Sequence, residues 1–284
     1  MLRAEGVSFG YDRRPVLRDV AVSIPGGGLV GVLGPNGSGK TTLLKLLAGL
    51  LVPDAGGVTL DGRPLQALGR AALARRVAVV PQETELAFDY TVLEIVLMGR
   101  YPHLRPFELE GPADLAIARR MLASTGTADL ESRSFRTLSG GEKQRVVIAS
   151  ALAQFESDDA TGGGTRVLLL DEPTSSLDLA YQLETAALVR RLNRERDTTV
   201  VVCTHDLNFA AGLCHELVLL RDGAVVAAGP TDAVLTPTTI ARVYDVEADV
   251  HRHSRSRQLT VVPLAVDHGG RSQVTGDRRQ EGAR

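Results

Sequence analysis

The sequence predicts an α/β fold of buried parallel strands and helices, with a β-rich N-terminal part and an inserted helical block. Leu29–Leu33 is a short apolar run, a glycine-rich turn follows, and leucines recur at helical spacing over Thr42–Leu50. This order predicts strand, loop and helix. Val167–Leu170 is a continuous apolar run, typical of a central strand buried on both faces. From about residue 91 to 154 the segments have helical character, which indicates a subdomain inserted into the α/β pattern.

The composition indicates a soluble globular protein with room for a proper core. The 284 residues are 44% hydrophobic and 23% charged, with a formal net charge of −2, so no basic field favours nucleic acid as a partner. Of the two cysteines, Cys203 ends an apolar run and should be a small buried residue. The N-terminus has no secretory signal, and no stretch approaches ~20 apolar residues. We therefore expect a cytoplasmic protein.

The N-terminal part is predicted to be an antiparallel β-subdomain. Val7 and Phe9 alternate with polar neighbours, and Val16–Ile24 forms a second run before a proline–glycine turn. Tyr11 lies between these two strands. It is a candidate functional residue, and a partly buried surface aromatic is an equally good interpretation. Residues 57–62 suggest a hairpin, and residues 66–76 are predicted to be helical before a buried strand at Val77–Val80.

The predicted domain spans residues 1–265, with the helical subdomain inserted at about 83–155. Residues 156–165 are polar and glycine-rich, which is typical of a flexible surface loop, and the polar tail 266–284 is predicted to be disordered. Strand-like runs resume after this loop, with a helix predicted between the first two. The runs are Val167–Leu170, Thr198–Cys203, Leu217–Leu220 and Ala224–Ala228, and the helix is Tyr181–Arg194.

The glycine-rich turn has the pattern of a phosphate-binding loop. Gly34, Gly39, Lys40 and Thr41 satisfy G-x-x-x-x-G-K-[ST] between a predicted strand and a predicted helix. Glycines let consecutive backbone N–H groups turn around a phosphate, and the helix N-terminus adds the positive end of its dipole. In such loops the lysine reaches the β- and γ-phosphates and the hydroxyl ligates Mg²⁺.

Two adjacent carboxylates form the second strong signal. Asp171 and Glu172 end the buried run Val167–Leu170. Asp171 is placed to hold Mg²⁺ opposite the phosphate loop, and Glu172 could accept a proton from an attacking water. The alternative is a surface turn with two solvated acids.

Three weaker signals depend on their context. Ser139, Gly140 and Gly141 precede a helical segment and form either an anion-binding helix N-terminus or an ordinary cap. Gln82 follows a strand and could reach a metal or a water, although alone it is a loop glutamine. His205 follows the strand that ends at Cys203. Because parallel strands bring their carboxyl ends to one edge of the sheet, this position favours a role for His205 in the same site.

Taken together, these motifs resemble the nucleotide-binding subunit of an ABC transporter. GPNGSGKT, the Gln82 loop, LSGGE, VLLLDEP, the SSLD stretch (175–178) and His205 occur in the family's order over about residues 2–262. LSGGE is the discriminating element, since many phosphate-loop ATPases share the other motifs without it. The family's fold is a P-loop NTPase fold.

The resemblance implies a role for each matching position. Tyr11 would stack on adenine, while the phosphate loop would hold the ATP phosphates through its nine residues Gly34, Pro35, Asn36, Gly37, Ser38, Gly39, Lys40, Thr41 and Thr42. Thr41 and Gln82 would ligate Mg²⁺ together with Asp171. Glu172 would be the general base, and His205 would contact the γ-phosphate. Lys40, Glu172 and His205 are the predicted catalytic residues.

The resemblance also implies partners. Ser139–Gly141 would contact the γ-phosphate of the nucleotide on a second subunit, which implies a head-to-tail homodimer with two ATP molecules at its interface. The permease would be a separate transmembrane chain, joined by a substrate-binding protein in a full importer, and this chain would lie at the cytoplasmic face of the membrane. No nucleic acid partner is expected.

A narrower similarity concerns the cargo. MGRYPHL, at residues 98–104, resembles the importers for iron–siderophores, haem and cobalamin, although an ordinary loop containing Pro102 is the alternative. Two rivals stay open, an exporter motor and a soluble ABC ATPase acting on ribosomes or DNA. Soluble members usually carry two cassettes or long coiled-coil insertions, and this chain has neither.

Overall fold

The structure is a computed structural model that describes residues 1–84, 86–156, 164–175 and 177–266. Most of the predicted loop at 156–165, Ser176 of the SSLD stretch and nearly all of the predicted tail therefore lie outside the described residues. The twelve strands are β1 (Leu2–Tyr11), β2 (Arg14–Ile24), β3 (Leu29–Leu33), β4 (Ala55–Leu60), β5 (Arg63–Pro64), β6 (Val77–Val80), β7 (Val167–Asp171), β8 (Thr199–Cys203), β9 (Glu216–Arg221), β10 (Ala224–Pro230), β11 (Val246–Arg252) and β12 (Leu259–Val266).

Nine α-helices occur in the same described ranges. They are α1 (Lys40–Leu47), α2 (Arg70–Ala74), α3 (Val92–Met98), α4 (Pro112–Thr125), α5 (Gly140–Phe155), α6 (Leu179–Arg196), α7 (Leu207–Leu213), α8 (Thr231–Val234) and α9 (Pro237–Tyr244). Among them we find no helix with the length and apolar character needed to cross a membrane.

A six-stranded sheet organises the fold, in the order β10-β9-β3-β8-β7-β6. Four of its five strand pairings are parallel, and the edge strand β10 pairs with β9 in antiparallel orientation. The strands β3, β7 and β8 are buried along their whole lengths, as their continuous apolar sequences predict. Because parallel strands end at the same edge, the loops after β3, β6, β7 and β8 meet there.

The sheet separates two hydrophobic cores. Alternate residues of each strand point to opposite faces, so Leu168 joins one core and Leu169 the other. One core contains α1 and the antiparallel sheet β2-β1-β4-β5, which confirms the predicted N-terminal β-structure. The other contains α3, α4 and α5, which form the helical block predicted at about residues 91–154. The domain boundaries themselves stay a prediction.

Two parts of the chain differ from the sequence prediction. The helix expected over residues 66–76 is a 3₁₀ turn at Leu65–Ala67 and the short helix α2, because Gly69 between them is extended, with φ −62° and ψ 147°. The sequence analysis also missed α7, α8, α9 and the hairpin β11-β12. That hairpin packs against α9 and α7.

Candidate functional site

The predicted phosphate loop connects β3 to α1, and its glycines are required by the backbone. Gly34, Gly37 and Gly39 all have positive φ, at 154°, 79° and 101°. A Cβ atom on Gly34 would lie 2.2 Å from the carbonyl oxygen of Leu220, and one on Gly39 would lie 2.5 Å from Leu17 Cδ2. Side chains at these two positions would therefore clash as well as strain the backbone.

Lys40 holds the loop in its turned shape. Its side chain is buried, and Nζ donates to the carbonyl oxygens of Gly34 at 2.8 Å and Pro35 at 3.1 Å. No side chain caps the N-terminus of α1 at Gly39, so the amides of its first turn are available to an anion. Ser38 Oγ is also buried, and it has no hydrogen-bond partner within the described residues. These free donors fit a polyphosphate.

Thr41 and Asp171 face each other at the edge of the sheet. Thr41 Oγ1 donates to Asp171 Oδ1 at 3.3 Å. Burial raises the pKa of Asp171, the Thr41 hydrogen bond opposes that rise, and the negative charge of Glu172 adds to it. A hydroxyl and a carboxylate are oxygen ligands of the kind that Mg²⁺ takes alongside phosphates. The described ranges contain no cluster of three acidic, histidine or cysteine side chains that could hold a metal by itself.

Glu172 points away from Asp171, as their adjacent positions at a strand end predict. Its backbone has φ 48°, an uncommon conformation for a residue with a side chain, and its N–H donates to the carbonyl of Cys203 at 2.8 Å. Glu172 Oε2 lies 2.6 Å from Nδ1 of His205. Two of the three predicted catalytic residues, Glu172 and His205, therefore share one hydrogen bond. Cys203, at the end of β8, is fully buried as expected.

A cavity of about 630 Å³ brings most of these predicted residues together. Lys40, Thr41, Gln82, Glu172 and His205 all line it, and so do Asn36, Gly37, Gly39 and Thr42. Two further lining residues, Val16 and Ser175, were not among the predicted site residues, although Ser175 begins the SSLD stretch. Tyr11 does not line this cavity. It is 43% exposed, and its ring meets Phe9 edge-on with 5.0 Å between centroids.

The LSGGE segment lies at the N-terminus of α5, outside that cavity. Ser139 Oγ accepts from the N–H of Glu142 at 3.3 Å, and Glu142 Oε2 accepts from the N–H of Ser139 at 2.7 Å, which is a complete capping box. An adjoining cavity of about 300 Å³ is lined by Gly140 and Lys143, and it shares Gln82, Glu172 and Ser175 with the first. Among the described residues of a single chain, Ser139–Gly141 do not line the phosphate-loop cavity.

Sequence reasoning also missed the residue that supports this turn. A Cβ atom on Gly141 would lie 2.5 Å from Cδ1 of Tyr181, on α6. Arg145 lies over the same ring at 5.9 Å and pairs with Glu184. The second glycine of LSGGE therefore allows α5 to approach the first turns of α6 closely.

These features define an ATP-binding cassette, and the family comparison agrees. Residues 17–175 match the family model described as ABC transporter. The chain therefore belongs to the ABC transporter family.

Three curated relatives are similar to this chain over most of its length. The cobalamin import ATP-binding protein BtuD of Halobacterium salinarum is 45% identical over 88% of this chain, although the chain spans only 60% of that protein. The hemin import ATP-binding protein HmuV of Gloeobacter violaceus is 44% identical over 93% of this chain and 94% of its own length. The iron(3+)-hydroxamate import ATP-binding protein FhuC of Bacillus subtilis is 38% identical over 90% and 92%.

Solved structures give the same class. A metal-chelate type ABC transporter in an inward-facing conformation aligns with TM-score 0.79 and 30% identity, covering 93% of this chain and 97% of that one. A dimeric bacterial ABC transporter cassette aligns with TM-score 0.68 and 28% identity, covering 81% and 99%. The predicted P-loop NTPase fold is thus confirmed.

Proposed function

We propose that this chain is the ATP-hydrolysing subunit of an ABC importer. The observation that carries this proposal is the divergence of Asp171 and Glu172 at the edge of the sheet. Asp171 contacts Thr41 of the phosphate loop, while Glu172 contacts His205 on the next strand's loop. Asp171 can therefore bind a metal while Glu172 accepts a proton. ATP hydrolysis needs one group for each of these two tasks.

In this proposal each residue has one task. The amides of Gly34–Thr42 and the Lys40 ammonium bind the phosphates, and Tyr11 stacks on adenine. Thr41, Gln82 and Asp171 hold Mg²⁺, which when bound neutralises the charge on the β- and γ-phosphate oxygens. Glu172 takes a proton from the attacking water. His205 orients that carboxylate through Nδ1, and its other ring nitrogen is available to the γ-phosphate.

A second copy of the chain completes the site. Ser139–Gly141 do not line the phosphate-loop cavity of their own chain, and the similar cassette of known structure is dimeric. We therefore propose a head-to-tail homodimer in which each LSGGE segment contacts the other subunit's γ-phosphate. Separate permease subunits and a substrate-binding protein would complete an importer, with this chain at the cytoplasmic face of the membrane and without nucleic acid.

The proposed cargo is an iron chelate, haem or cobalamin. The three relatives are named for import of cobalamin, hemin and iron(3+)-hydroxamate, and the similar transporter is of metal-chelate type. These names favour import over the exporter and ribosome or DNA alternatives. The MGRYPHL segment supports the same branch.

Glu172→Gln tests the catalytic part of the proposal. The amide keeps the size of the side chain and removes its basicity, so we expect ATP hydrolysis to fall by about 10²–10⁴-fold. ATP and Mg²⁺ should still bind, and an ATP-bound dimer should accumulate on size exclusion. Glu195→Gln, on the exposed side of α6, is the matched control and should hydrolyse ATP at the wild-type rate. If Glu172→Gln does the same, the general base is another residue, and His205 is the first to test.

A further inference from the structure

The MGRYPHL segment has contacts that its proposed link to cargo does not explain. It joins the end of α3 to a 3₁₀ turn at Tyr101–His103, and Arg100 is 3% exposed. Charged side chains are almost never buried this deeply unless they are paired. Arg100 and His103 make hydrogen bonds to α4 and to the C-terminal end of α5, and the carbonyl of Pro102 accepts a hydrogen bond from Arg75, next to α2.

Arg100 and His103 donate hydrogen bonds to carbonyl groups at the C-terminal end of α5. The last carbonyl groups of a helix have no partner within the helix. Arg100 Nη1 donates to the carbonyls of Ala153 at 2.7 Å and Glu156 at 2.5 Å. His103 Nε2 donates to the carbonyl of Gln154 at 2.9 Å. Burial lowers the pKa of His103, which favours the neutral ring, and a neutral ring protonated on Nε2 still makes this bond.

Two further contacts fix this end of α5. Arg100 Nε donates to Asp114 Oδ1 at 2.9 Å, so the guanidinium joins α5 to the first turn of α4. A Cβ atom on Gly99 would lie 2.1 Å from the carbonyl oxygen of Ser150, so α3 ends directly on the α5 backbone. Packing and hydrogen bonding therefore explain why MGRYPHL has a glycine, an arginine and a histidine at these positions. We name Gly99, Arg100 and His103 the α5 clamp.

We propose that the α5 clamp positions the LSGGE segment, so that Arg100 is a positioning residue for ATP hydrolysis. The helix α5 runs from Gly140 to Phe155, about 24 Å at 1.5 Å per residue. Its N-terminus carries Ser139–Gly141, and its C-terminus is held by the clamp. Since a helix moves as a rod, freeing one end changes where the other end points. This inference rests on the proposed contact between LSGGE and the second subunit's nucleotide.

The test uses Arg100→Lys in the full-length chain. Lysine keeps the positive charge beside Asp114 but lacks the planar fork that reaches Asp114 and two carbonyls together. Arg119→Lys is the matched control, because Arg119 lies on the exposed side of α4 and pairs with Glu131, with no hydrogen bond or ion pair to α5 among the described residues. Each variant is also made in a Glu172→Gln background for the dimer assay.

We expect Arg100→Lys to bind Mg-ATP as a monomer within twofold of wild type, because the phosphate loop is unchanged. We expect its kcat to fall at least tenfold and its ATP-driven dimer on size exclusion to decrease, at a temperature well below its unfolding midpoint. The control should match wild type in all three measurements.

Three outcomes overturn the inference. A lower unfolding midpoint with wild-type kcat would give Arg100 a purely structural role. A parallel loss of monomer affinity and kcat would show that the fold of the phosphate loop is affected. If Glu172→Gln alone forms no ATP-bound dimer, the proposed contact between subunits fails first and the inference with it, which is distinguishable because that result does not involve Arg100.

Discussion

Two helix N-termini in the candidate site, those of α1 and α5, contain glycines but are built in opposite ways. At α1 the residue before the helix is Gly39, with φ 101° and no side-chain cap, and a lysine folds back onto the loop's own carbonyls. At α5 the corresponding residue is Ser139, and a capping box already satisfies the N–H groups of Ser139 and Glu142.

This difference indicates what each end is for. The α1 end leaves its donors free around a buried ammonium, which suits a ligand that stays bound through a catalytic cycle. The α5 end is complete without a ligand, so it loses little when nothing is bound. The backbone N–H groups that the capping box does not use can still contact a ligand. This suits a contact that forms and breaks as two subunits associate and separate. Three substitutions test this contrast.

The largest effect is expected for Lys40→Met at the α1 end. The change removes a charged donor from the phosphate loop, and hydrogen bonds to charged groups contribute about 1.5–3 kcal/mol each. We expect the affinity of the monomer for Mg-ATP to fall on the order of a hundredfold. Titration with a fluorescent ATP analogue measures this. Lys45→Met, on the exposed face of the same helix, should bind like wild type, and equal affinities for the two variants would contradict the role of Lys40.

The next effect is expected for Gly140→Asp at the α5 end. Among the described residues, a Cβ atom at Gly140 would meet only Leu177 Cδ2, at 3.2 Å, so the fold should adapt. We expect the affinity of the monomer for ATP to stay within twofold, while ATP-driven dimerisation is lost because a carboxylate would face a triphosphate. Gly69→Asp, with open space at its Cβ position, should dimerise normally. A tenfold loss of monomer affinity, about 1.4 kcal/mol, would mean that LSGGE acts within its own chain.

The sequence predicts the α1 end better than the α5 end for a physical reason. The strand, the loop and the helix around Lys40 are consecutive, so local pattern determines their arrangement. Gly141 is explained only by Tyr181, forty residues away along the chain, and Gly99 only by Ser150. Contacts of this kind follow from tertiary packing, which one sequence does not display.

The hairpin β11-β12 was missed although its first strand carries a local signal. In β11, Val246, Ala248 and Val250 alternate with the polar Glu247, Asp249 and His251, which is a strand pattern, and only Ala248 is buried. Its pairing with β12 and its packing on α9 become visible only in the fold.

The smallest effect is expected for Glu142→Gln, which removes a charge from the α5 capping box and keeps the hydrogen bond. The N–H of Ser139 lowers the pKa of Glu142, burial opposes this, and the Ser139 hydroxyl adds to the lowering. A carboxyl with a lowered folded pKa stabilises the protein above its unfolded pKa, and this contribution disappears as the pH falls through the folded value. The Glu142 side chain is half-buried at the rim of the helix, where solvent still screens its charge, so we expect only a few tenths of a kcal/mol.

Urea unfolding at pH 7 and pH 3 therefore measures the charge of the cap alone. At pH 7 the wild type should be slightly more stable than Glu142→Gln, and at pH 3 the difference should be smaller because the Glu142 carboxyl takes up its proton as the pH falls. Glu94→Gln is the matched control, since Thr91 and Glu94 form the same capping box at α3 and the pKa of Glu94 is also lowered, chiefly by the N–H of Thr91. Similar small differences for both variants would identify the α5 end as an ordinary self-sufficient cap. A variant that is equal to wild type at pH 7 and less stable at pH 3 would contradict that assignment, because a neutral amide would then be a poorer cap than a neutral carboxyl.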